Sequence, residues 1–128
     1  MQLTQVLKFE FGSLELYDNY VIGKIIPGSY INQDAAKKLL QAIKDHYGKR
    51  GIVYISQREF SVDLDLSIYK LVDPKRIVGV AIVSSKKEEI VLTASQEQAL
   101  YAGSFGLFSN LDSAISWAKS FVQDDEAS

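Results

Sequence analysis

Seven consecutive residues, Ile77-Val78-Gly79-Val80-Ala81-Ile82-Val83, carry no polar side chain. Successive side chains of a strand point to opposite faces, so this run has no face to leave in water. It requires cover on both sides, as for a central strand of a sheet with helices packed on each face. The run is also far short of the roughly 20 apolar residues needed to span a bilayer.

The rest of the chain supplies the other layers. Leu7, Phe9 and Phe11 alternate with Lys8 and Glu10, the period of a half-buried strand. After Gly12-Ser13 the apolar parity moves to Leu14 and Leu16, which predicts a bulge or turn there. Tyr17-Asp18-Asn19-Tyr20 predicts a two-residue hairpin, since Asp and Asn tolerate positive φ. A strand over 21–26 then closes at Pro27-Gly28, the central pair of a type II turn.

Asn32 is the expected N-cap of a first helix that buries Ala36, Leu39, Leu40, Ile43 and Tyr47 and stops at Gly48. A buried strand over 51–55 comes next. A second helix is expected from Asp63, burying Leu64, Ile68, Leu71 and Val72 until Pro74 limits it. Ser85-Lys86-Lys87-Glu88 has the capping-box pattern for a third helix, although β-prone Ile90–Thr93 leaves a start near Ser95 open. A short strand over 103–108 precedes a last helix capped by Asn110, with Leu111, Ala114, Ala118 and Phe121 inward.

The expected order is β-β-α-β-α-β-α-β-α: an α/β single domain over 1–123, with a mixed sheet of about five strands and a frayed polar tail over 124–128. At 128 residues one core is enough. There is no cysteine, which excludes disulfides and thiolate chemistry and makes the cytosol the default compartment. A formal charge of −2 with scattered lysines argues against a nucleic-acid binder.

Ligands of α/β proteins collect outside the carboxyl ends of the strands. That directs attention to the turn after the strand at Ile52, where Ser56, Arg58, Phe60, Ser61, Asp63 and Asp65 form the candidate binding surface. Arg58, one of three arginines, would suit an anion or an acidic partner beside a helix N-terminus. An internal salt bridge or an exposed arginine explains the same residue. Tyr30, Tyr54, Phe60 and Tyr69 are the aromatic residues able to line a pocket there, with core or rim packing as the alternative. The lone His46 fits a helix C-terminus, and no cofactor, metal site or nucleophile motif emerges.

The element order, Ile55-Ser56-Gln57-Arg58, Ser61-Val62-Asp63 and the terminal Phe108, Ala114 and Trp117 resemble the STAS superfamily. These are the sulfate-transporter and anti-sigma-factor-antagonist domains. The narrower resemblance is to small bacterial STAS/SEC14-like proteins of unknown function. It implies a cytoplasmic, non-enzymatic regulatory module that binds a protein partner, with a homodimer left open. The alternative it implies is a carrier of a small apolar or lipid-like ligand. Anti-sigma antagonists carry a phosphorylatable serine in Asp-x-Ser-Gly, but Asp63-Leu64-Asp65-Leu66 stands at that place here. The switch is therefore not carried over, and Ser61 and Ser67 are the substitute phosphorylation candidates.

Overall fold

A computed structural model describes residues 3–58 and 63–127. Strands β1 (Gln5–Phe9), β2 (Gly12–Leu16) and β3 (Tyr20–Ile25) form an antiparallel meander. Short β4 (Tyr30–Ile31) precedes helix α1 (Gln33–Tyr47). Then come β5 (Ile52–Gln57), short β6 (Asp63–Leu64), a 3-10 helix (Leu66–Leu71), β7 (Ile77–Val83), α2 (Lys87–Leu100), β8 (Ser104–Phe108) and α3 (Leu111–Ala127). The main sheet has six strands in the order β1-β2-β3-β5-β7-β8, with β3, β5, β7 and β8 parallel. A separate parallel pair joins β4 to β6.

The α/β expectation holds, with one more strand in the main sheet than the five expected. The extra strand arises where a bulge or turn was expected. Glu10 and Phe11 turn the chain, Gly12 pairs back onto Phe9, and the parity change separates two strands. A β-carbon at Gly12 would overlap the Lys24 carbonyl of the neighbouring strand, so only glycine fits. The hairpin at Tyr17–Tyr20 is present and closed by Tyr17 N–H to the Tyr20 carbonyl at 3.0 Å. It needs no positive φ, because among the described residues only glycines adopt one. Gly28, at φ +88, supplies the turn conformation expected after Pro27.

Two of the expected N-caps are in place, whereas α2 opens with Lys86 in the N-cap position, one residue beyond the capping box expected at Ser85. Asn32 accepts from the Ala35 amide and Asn110 from the Ser113 amide, each at 2.9 Å, while Gly48 ends α1 at φ +63. The second expected helix is the main correction. Asp63 and Leu64 run extended beside Tyr30 and Ile31, and Asp65 N–H continues that pairing to the Ile31 carbonyl at 2.9 Å. Asp65, not Asp63, caps the 3-10 helix. Only six helical residues remain before Pro74, and this short connecting piece takes the tighter 3-10 form.

The two faces of the sheet are covered unequally. Leu14, Leu16, Val21, Ile52 and Val80 pack with Leu39, Ile43 and Tyr47 of α1. On the same face α2 places Ile90 and Ala94 against Ile82. The other face carries Ile22, Val53, Ile55, Ala81 and Val83 against Ala114 and Ala118 of α3. The apolar run 77–83 thus divides between both cores, as its composition requires.

Candidate functional site

Beyond Gln57 the chain keeps its sheet direction for one more residue, and Arg58 N–H donates to the Val83 carbonyl at 2.8 Å. Side chains 54, 56 and 58 share one parity, and all three face the layer formed by α1 and the 3-10 helix. Arg58 is therefore turned inward and only 7% exposed. Its Nη1 and Nη2 donate to the two carboxylate oxygens of Glu97 at 2.7 and 2.8 Å, and Nε donates to Ser56 Oγ at 2.9 Å. Tyr69 adds its hydroxyl to Glu97 Oε1 at 2.5 Å. Glu97 on α2 is fully buried.

This arrangement answers the burial of charge. Burial by itself disfavours the Arg58 cation, but the Glu97 hydrogen bonds and charge outweigh it and hold the guanidinium above its ordinary pKa. Burial and the neighbouring Glu97 charge push the Tyr69 hydroxyl well up. Burial also pushes Tyr54 up to about 12. At neutral pH these two tyrosines are neutral donors.

The network forms one corner of a cavity of about 90 Å³. Leu39 and Ile43 of α1, Ile25 and Val80 of the sheet, and Ile68 and Val72 around the 3-10 helix give it apolar walls. Tyr54, Ser56, Arg58 and Tyr69 are its polar boundary. Gly23 is what allows Tyr54 to lie as it does, since a β-carbon there would overlap the Tyr54 hydroxyl. A second, more polar cleft of about 250 Å³ adjoins at the other end of α1, between Lys44, Arg50 and Arg76. Its arginines are already engaged: Arg50 lies over the Tyr47 ring, and Arg76 approaches Asp73 and the Gly48 carbonyl.

The remaining candidates are dispersed. Asp65 Oδ1 accepts from Ser67 N–H at 2.9 Å and from Ser67 Oγ at 2.7 Å, and these bonds hold its pKa below the usual carboxylate range. The Ser67 hydroxyl also accepts from Gln33 Nε2 at 2.8 Å. Asp63 lends its backbone to β6, and Phe60 and Ser61 lie outside the described residues. His46 sits near the end of α1, with Nε2 at 3.4 Å from Thr4 Oγ1.

Sequence reasoning missed Glu97, yet a signal existed. Ile90, Ala94, Glu97 and Tyr101 succeed one another at helical spacing and are all buried, so the carboxylate stands in an otherwise buried stripe. Exposed Val91, Leu92 and Leu100 on the same helix obscured that stripe. The unsettled helix start obscured it further.

The chain matches no protein-family model and no curated protein. Among solved structures it is similar to an uncharacterised protein of the DUF3478 family, with a SpoIIAA-like fold, from Shewanella loihica PV-4. The two share 14% identity, with 89% of this chain and 90% of that one covered and a TM-score of 0.55. The chain therefore has the STAS-like, SpoIIAA-type fold that the sequence resemblance implied. At that identity the likeness is one of fold alone. Among the described residues no helix is long and apolar enough to cross a membrane.

Proposed function

We propose that the protein is a non-enzymatic binding module that takes a small, largely apolar molecule into the cavity between α1, the 3-10 helix and β5. The observation that carries this reading is an apolar cavity ending in a charge-balanced polar corner, in the strand-end region where α/β folds bind ligands. Leu40, Leu64, Ile68 and Val72 are only half-buried, so the wall between α1 and the 3-10 helix offers a route in. An apolar occupant of about 90 Å³ would recover roughly 2 kcal/mol of packing at the usual cavity coefficient. The raised pKa values of Tyr54 and Tyr69 favour binding over proton transfer at neutral pH.

Docking of a protein partner at the same end of the sheet is the second reading. It is supported by Ile26 and Tyr30, which leave large apolar side chains half in solvent on either side of the turn at Pro27-Gly28. One titration separates the two. Benzene added to ¹⁵N-labelled protein is expected to shift the amides of Ala36, Tyr54, Ile68 and Val80, and an Ala36→Leu variant that fills the cavity should lose those shifts. Unmoved amides at saturating benzene would remove the cavity reading and leave the partner reading in its place.

A further inference from the structure

The polar atoms at the cavity wall are not equivalent. Glu97 already accepts three hydrogen bonds, two from Arg58 and one from Tyr69, so both of its oxygens are committed. Ser56 Oγ accepts from Arg58 Nε and keeps its own proton to give. The Tyr54 hydroxyl makes no hydrogen bond among the described residues. It is also not walled off: the one fully buried side-chain polar atom without a partner among them is Gln57 Oε1. Gln57 has the opposite parity on β5, the side that faces α3. The corner is thus a set of donors, with no uncommitted carboxylate beside it.

Charge narrows the choice further. The Arg58–Glu97 pair sums to zero inside an apolar wall. An anionic ligand group would be a third, uncompensated buried charge, which costs far more than a hydrogen bond returns. A purely apolar ligand would leave the Tyr54 donor unmet. We infer that the cavity selects a neutral hydrogen-bond acceptor on a short apolar body, such as a small ketone, aldehyde or ester. Its oxygen is received by the Tyr54 hydroxyl, with Ser56 alongside. This rests on the cavity reading above and specifies the ligand class for the same site.

The test compares 2-hexanone, hexanoate and benzene by ¹⁵N shift titration at pH 7 on the parent protein and on Tyr54→Phe, with thermal melts to confirm that the variant is folded. We expect 2-hexanone to bind the parent at least tenfold more tightly than hexanoate. Tyr54→Phe should weaken 2-hexanone about fivefold, the size of one net hydrogen bond, and leave benzene unchanged. Benzene binding with equal 2-hexanone affinity in both proteins would overturn the acceptor inference while keeping the cavity. Preferential binding of hexanoate would overturn it as well. No binding by any of the three probes would instead sink the cavity reading itself.

Discussion

Arg58 and Glu97 are 39 residues apart in the chain, and the fold brings them into a two-pronged ion pair away from water. Such a pair adds little net stability, because desolvation offsets most of the attraction, yet removing one partner strands the other charge. Glu97→Gln is therefore expected to lower unfolding stability by about 3–5 kcal/mol in urea denaturation. Replacing the group together, as Arg58→Met, Glu97→Leu and Tyr69→Phe, should recover most of that loss. A Glu97→Gln change below about 0.5 kcal/mol, the usual effect of a surface substitution, would mean the pair is not buried as described. At this scale the sequence pointed to Ser56 and Arg58 through their place at a strand end. It offered an internal salt bridge as one reading of Arg58 but left Glu97 unnamed. Partners so distant in the chain are chosen by packing, which no local pattern records.

The elements were legible where capping and periodicity agreed. Asn32 and Gly48 bracket α1, and Asn110 opens α3, because these residues satisfy or terminate helix backbones wherever they stand. The segment after β5 departs from expectation because Leu64, Ile68, Leu71 and Val72 have helical spacing, while pairing between β4 and β6 draws its first residues out straight. Asp65 then organises the 3-10 helix through Ser67. Its folded pKa is depressed, so its contribution is complete at neutral pH. That contribution declines as pH falls below the ordinary aspartate value of about 3.9 and is gone once pH drops below the depressed folded value. Hydrogen exchange of the Ser67 amide between pH 5 and pH 2.5 should show protection relative to α1 falling over that window. In Asp65→Asn the relative protection should be flat with pH. A Ser67 amide that tracks α1 throughout in the parent protein would contradict this.

For the whole molecule, one sheet carries two cores, and among the described helices α3 covers the face away from the cavity. Trp117, the one tryptophan, packs with Phe108 and Phe121, and a β-carbon at Gly79 would come within 3.0 Å of its ring. Its fluorescence therefore reports docking of α3, while far-ultraviolet circular dichroism reports all the helices. Because β5 and β7 contribute side chains to both cores, the two signals should give coincident urea transitions with a single midpoint. An earlier fluorescence transition would show α3 leaving as a separate unit. The sequence by itself determined the α/β class, the doubly covered interior strand, the meander's polarity pattern, both ends of α1 and the start of α3. Each arises from side-chain alternation, helical period or a residue's own backbone preference. Tertiary structure alone decided that 64–72 would not form an α-helix, that Arg58 would turn inward to Glu97, and that Tyr54 would lie over Gly23. Those outcomes depend on which distant surfaces meet and on the low dielectric created when they do, and a residue's neighbours in the chain carry neither.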